Sequence, residues 1–88
     1  MSENQKKIWI TGASSGIGKA VAEKFAAEGW KVAVSARRKE LLQDMAKDQN
    51  ISSFPLDVTD RSQINNVFQN ILKEFGNIDV CLFSSGTY

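Results

Sequence analysis

The chain has no histidine and a single cysteine, Cys81, so neither an internal disulfide nor a zinc site of the usual ligands can be assembled from its 88 residues. It also lacks an excess of either charge. Eleven Lys and Arg against ten Asp and Glu leave a formal +1, whereas binding to nucleic acid or an anionic membrane would need a basic stripe. Long apolar runs are missing too. No stretch approaches the roughly 20 residues of a membrane-spanning helix, and residues 1–7 are polar, with no signal-peptide core. The expectation is a cytoplasmic chain in which Cys81, inside an apolar run, is a buried and inert thiol.

What is present reads as an ordinary globular composition, 42% hydrophobic and 24% charged. A chain this short buries only about 60–65% of its unfolded surface, so one small domain with a thin stability margin is expected. Short apolar strands are predicted at residues 7–11, 31–35, about 53–56 and 78–83, each suited to burial on both faces. Three helices alternate with them. The first, 19–28, is preceded by Ile17 and carries it, Val21 and Phe25 on one face, ending at Gly29; the second, about 39–48, shows Leu41, Leu42 and Met45. The third has Ile64, Val67, Phe68, Ile71, Leu72 and Phe75 as a core stripe, Asp60-Arg61-Ser62-Gln63 as a capping box, and Gly76 as its C-terminal cap. This alternation predicts an α/β, Rossmann-type fold: a parallel sheet of four strands joined by βαβ crossovers through three helices, with strand order 3-2-1-4 and no internal domain boundary.

In such a sheet ligands bind beyond the carboxyl ends of the strands, near the switch between strands 1 and 4. Strand 1 runs into Thr11-Gly12-Ala13-Ser14-Ser15-Gly16-Ile17-Gly18, which opens directly into a helix. Glycines there let the backbone approach a pyrophosphate, and the helix start directs N–H groups and a positive dipole end at it. A P-loop does not fit. Its first glycine position is Ala13, and Ala20 follows Lys19 where a hydroxyl for magnesium is required.

The octapeptide resembles the Thr-Gly-x-x-x-Gly-x-Gly turn of short-chain dehydrogenases/reductases, and the resemblance extends from Lys7 to Gly86. It implies a nicotinamide dinucleotide held at Gly12, Ser14, Ser15, Gly16, Ile17 and Gly18, with hydride moving between nicotinamide and a carbonyl or alcohol carbon. The serines are equally well read as plain turn formers.

Strand 2 ends in Ser35-Ala36-Arg37-Arg38-Lys39, with no acid before Glu40. An NAD-preferring fold places Asp or Glu near this point for the ribose 2′-hydroxyl, whereas arginine suits the 2′-phosphate of NADP(H). Most basic runs are simply solvated. Yet cations at a helix start oppose the dipole unless an anion is held nearby. Arg37 is the first candidate, Arg38 the second, and Lys39 is read as solvated.

By the same resemblance Asp57 accepts from the adenine amino group and Val58 packs on the ring, while Thr59 and Asp60 serve the next helix as caps. The segment Asp79-Val80-Cys81-Leu82-Phe83-Ser84-Ser85-Gly86 is similar to the family's Asp-x-x-x-Asn-Asn-Ala-Gly. Ser85 and Gly86 fit a close approach to the cofactor ribose, but Phe83 and Ser84 replace both asparagines. The family's catalytic Ser and Tyr-x-x-x-Lys follow strand 4, and the one tyrosine here, Tyr88, has no lysine after it. The expectation is therefore residues 1–88 as a single but incomplete NADP-binding portion of an oxidoreductase, inactive alone, with no catalytic residue and no metal. The complete protein would act on a small carbonyl or alcohol substrate as a homo-oligomer. A non-catalytic, cofactor-sensing module is the alternative.

Overall fold

The computed structural model describes residues 5–12, 16–37, 39–57 and 59–83. In chain order the elements are β1 (Lys7–Thr11), α1 (Gly16–Ala27), β2 (Lys31–Ser35), α2 (Lys39–Met45), β3 (Ile51–Ser53), α3 (Arg61–Phe75) and β4 (Val80–Phe83). The strands form one sheet in the order β3-β2-β1-β4. All pairings are parallel, with Trp9 opposite Ala33 and Cys81, and Val32 opposite Ile51. This is the Rossmann-type topology expected from the alternation of apolar segments.

Side chains alternate across a strand, so β1 and β2 feed two separate cores. Ile8, Ile10, Val32, Val34 and Ile51 pack with Ala22, Ala26, Leu42 and Met45 of α1 and α2. Trp9 and Ala33 face the other way, against Leu56, Ile71 and Phe75. The helix α1 meets the sheet along Gly18, Ala22 and Ala26, all buried, with Val21 and Phe25 flanking them. Small residues at this four-residue spacing let the helix axis come close to the strands. The larger side chains then fill the margins.

The helix α1 starts at Gly16, three residues before the predicted start, and ends in a Schellman arrangement. Gly29 has φ 92, its N–H donates to Ala26 O at 3.1 Å, and Trp30 N–H donates to Phe25 O at 3.0 Å. The rings of Phe25 and Trp30 meet edge to face at 4.7 Å, the apolar contact that accompanies this cap. The helix α2 stops at Met45 rather than 48, because the following turns tighten to Lys47 N–H with Asp44 O and Asp48 N–H with Met45 O. Asp48 Oδ1 then accepts from Asn50 N–H at 2.9 Å and directs the chain into β3.

Three expectations need correction. The third strand lies at Ile51–Ser53, not 53–56. Beyond Ser53 the chain still follows β2, with Phe54 N–H donating to Val34 O and Leu56 N–H to Ala36 O; Pro55 between them faces the open edge, where a missing N–H costs no bond to β2. The fourth strand begins at Val80 and is exposed: Val80 and Leu82 retain 42% and 38% of their surface, and Cys81 is exposed rather than buried. It pairs with β1 on one side only, and α1 and α2 cover the other three strands. Finally, of the α3 stripe only Ile71 and Phe75 are fully buried, while Ile64, Val67 and Phe68 are partly so. The first half of α3 overhangs β4, where a groove of about 340 Å³ between Trp9, Phe68 and Cys81 stays open.

At the amino ends of the strands, Asp79 sets the register of β4. Its Oδ2 accepts from Lys7 N–H at 2.8 Å while its own N–H donates to Lys7 O at 2.9 Å. Lys7 Nζ also donates to Asn77 Oδ1 at 3.0 Å. This clasp lies at the end of the sheet opposite the candidate site. Among the described residues no helix is long and apolar enough to cross a membrane.

Candidate functional site

Parallel strands put all their carboxyl ends on one side, which brings the ends of β1, β2 and β3 together. Gly12 closes β1 with φ 74, a conformation that L side chains rarely adopt, and its N–H donates to Ser35 O at 2.8 Å. The turn after β1 is thereby tied to the end of β2. Beneath it Thr11 and Ser35 are buried, and Trp9 Nε1 donates to Ser35 Oγ at 2.9 Å. Sequence reasoning missed this brace. The only signal for it was a tryptophan in an otherwise aliphatic strand, at a position that shares a sheet face with Ser35.

Gly16 and Gly18 both fall in the first turn of α1, which contains no acidic side chain. An anion there meets the positive end of the helix without a competing carboxylate. The turn residues Ser14 and Ser15 lie outside the described residues, as does the side chain of Ile17. Gly18 is buried, in keeping with close helix packing as its main demand for glycine.

Ala36 is 5% exposed and belongs to the core, so the first side chain to emerge after β2 is Arg37, which is 74% exposed. Its Nε lies 3.8 Å from Asp57 Oδ1 in the loop after β3. The two loops run side by side because Leu56 N–H donates to Ala36 O at 3.0 Å. Asp57 Oδ1 also accepts from Thr59 N–H at 3.0 Å and from the Thr59 hydroxyl at 2.7 Å. The hydroxyl chiefly, then the Thr59 N–H, hold the Asp57 carboxyl below its ordinary range; desolvation opposes them, and Arg37 adds the least of the lowering effects. It is a carboxylate at neutral pH.

Asp60 caps α3 as expected, its Oδ1 accepting from Ser62 N–H and Gln63 N–H. The box is not reciprocal, however. Gln63 Nε2 donates to Asp60 Oδ2 at 3.3 Å, and its Oε1 accepts from Asp57 N–H at 3.1 Å. The glutamine therefore steadies the Asp57 loop instead of closing back on the cap's own N–H. Thr59, expected as a cap for α3, instead donates to Asp57, and Gln63, expected only in the capping box, also holds the Asp57 loop; both roles depend on the fold of this loop. Arg38, Val58, Ser84, Ser85 and Gly86 lie outside the described residues, and among the described residues no cluster could hold a metal ion.

A glycine turn, a helix start without acids, and an emergent arginine beside an ionised aspartate, all at the carboxyl end of a 3-2-1-4 sheet, define a dinucleotide-binding α/β protein. The family model for short chain dehydrogenase matches residues 6–87, and the chain belongs to that family. It is 39% identical over 86 residues to the 3-oxoacyl-[acyl-carrier-protein] reductase of Thermotoga maritima, covering 92% of this chain and 35% of the relative. Two solved structures superpose closely. The 3-ketoacyl-(acyl-carrier-protein) reductase of Brucella melitensis, complexed with NADH, has a TM-score of 0.83 at 28% identity, covering 86% of this chain and 32% of that one. The F189W actinorhodin polyketide ketoreductase with NADPH has a TM-score of 0.87 at 26% identity, covering 93% and 33%. The chain thus spans about a third of the length of these relatives. It carries the nicotinamide-dinucleotide fold of an oxidoreductase family.

Proposed function

We propose that residues 1–88 are the N-terminal NADP(H)-binding portion of a short-chain oxidoreductase that reduces a carbonyl or oxidises an alcohol. The observation that carries the choice of cofactor is Arg37: it is the first side chain to emerge from β2, it is exposed, and no acid precedes it at that strand end. A planar guanidinium suits a 2′-phosphate and, having no acceptor, cannot take the hydrogen bond that a bare 2′-hydroxyl donates to Asp or Glu. Relatives solved with NADH and with NADPH belong to the same fold, so the fold alone does not choose between them.

In this reading Gly12, Gly16, Ile17 and Gly18 give the pyrophosphate its close backbone approach, with Ser14 and Ser15 supplying hydroxyls. Arg37 and then Arg38 take the 2′-phosphate. Asp57 accepts from the adenine amino group, Val58 packs on the ring, and Ser85 and Gly86 pass beside the ribose. The bound nicotinamide supplies the hydride. The proton requires the Ser and Tyr-x-x-x-Lys set that the family resemblance puts after β4, so these 88 residues bind without turnover. The setting is a reducing cytoplasm, and the complete protein is a homo-oligomer acting on a small substrate.

Isothermal titration with NADPH and NADH at one ionic strength tests the proposal. Tighter binding of NADPH is expected. Equal affinities would return Arg37 to the solvated cations. Ala36 is unsuitable for a specificity switch, since an aspartate there would place a carboxylate in the core.

A further inference from the structure

We propose that Thr59, acting through Asp57, positions Arg37 for the 2′-phosphate, so that cofactor preference depends on a hydroxyl that touches no atom of the cofactor. This rests on the assignment of Arg37 made above. Arg37 is long and 74% exposed, and among the described residues its one ion pair is with Asp57. Alone, such a side chain samples many rotamers, and fixing one on binding costs affinity.

Asp57, by contrast, is held from three directions. Thr59 donates to its Oδ1 twice, Gln63 accepts from its N–H, and Leu56 next to it is bonded to the residue that precedes Arg37. The oxygen fixed by Thr59 is the one that faces Arg37. The contact is through Nε, the guanidinium nitrogen nearest the chain. A phosphate can then be met by the two terminal nitrogens, the fork that recognises tetrahedral oxyanions.

The carboxylate has an opposite effect as well, since its charge repels a 2′-phosphate. The two effects separate by substitution. Thr59→Val removes the hydroxyl and keeps the backbone N–H, the volume and the Asp57 charge, so it tests positioning alone. Thr59→Ser keeps the hydroxyl, and Thr59→Ala serves as a second deletion should the valine disturb the turn.

The test is the ratio of NADH to NADPH dissociation constants for the parent, these variants, Arg37→Ala, and the Arg37→Ala/Thr59→Val pair. Positioning predicts a ratio about three- to fivefold lower in Thr59→Val and Thr59→Ala, restored in Thr59→Ser, with no further change when Thr59→Val is added to Arg37→Ala. An unchanged or higher ratio in Thr59→Val and Thr59→Ala, with Arg37→Ala still lowering it, would overturn the proposal and leave the Arg37 assignment standing. Equal weakening of both cofactors would also overturn it, because Thr59 would then serve only the adenine loop. If Arg37→Ala leaves the ratio unchanged, the assignment and the proposal fall together.

Discussion

Ile71 is the point at which α3 is fastened to the sheet, and its truncation should be among the most costly single changes in this chain. The side chain is 0% exposed and lies between Trp9, Ala33, Leu56 and Phe75, in a core to which α3 contributes only one other fully buried residue. Ile71→Ala removes three carbons. At ~0.8 kcal/mol per buried methylene that is roughly 2.4 kcal/mol, and incomplete collapse of the cavity raises the total into the range of about 3–5 kcal/mol. A small domain has a total stability of about 5–10 kcal/mol, so the variant should lose a third or more of it. Ile71→Val should cost only ~0.5–1.5 kcal/mol, and Val67→Ala, at a partly buried position, about 1 kcal/mol or less. Urea titration followed by far-ultraviolet circular dichroism gives all three values. A cost below about 1 kcal/mol for Ile71→Ala would refute the packing described. The consequence reaches the site. Asp60 and Gln63 at the start of α3 brace the Asp57 loop, so a loosened helix should weaken adenine-side binding as well.

Further outcomes follow from the same contacts. Gly29→Ala meets no atom within 4 Å but must hold φ 92, so it should cost about 1–2 kcal/mol from backbone conformation alone, read from the shift in urea midpoint. Asp57 has a folded pKa below its unfolded value; its contribution is therefore complete above the ordinary carboxylate range and is lost as pH falls through the lower, folded value. Asp57→Asn should flatten the acid limb of the stability profile, and in Thr59→Val the Asp57 carboxyl should titrate at higher pH by NMR. The exposed Val80 and Leu82 on an edge strand should promote self-association of the 88 residues; Leu82→Lys should shift sedimentation velocity profiles towards monomer, and an unaltered oligomer distribution would show that β4 is not the contact.

The sheet order, the helix faces and the caps at Asp60, Gly29 and Gly76 were legible because each depends on local pattern: apolar segments of strand length, a 3.6-residue stripe, and glycines where a chain must turn. The edge position of β4 followed from the 3-2-1-4 order, but its exposure was not legible. Val80-Cys81-Leu82-Phe83 is as apolar as Ile8-Trp9-Ile10, and nothing within the segment says that one is covered and the other is not. The third strand was displaced because the apolar residues that suggested it, Phe54 and Leu56, lie past its last paired residue, Ser53: their N–H groups still bond to β2 while their side chains fill the α3 core. The glycine turn after β1 and the arginine after β2 were visible from the order of residues. The Thr59–Asp57–Arg37 chain and the Trp9–Ser35 brace were not, since both join residues from separate strands or loops whose adjacency exists only in the fold.

Whether Arg37 reads a 2′-phosphate is decided by the dissociation constants of NADPH and NADH for the parent chain and for Arg37→Ala at one ionic strength. One charge-assisted contact contributes about 1.5–3 kcal/mol, so NADPH binding should weaken about ten- to a hundredfold while NADH binding stays nearly constant. Equal weakening of both cofactors, or no change in either, would contradict that role for Arg37.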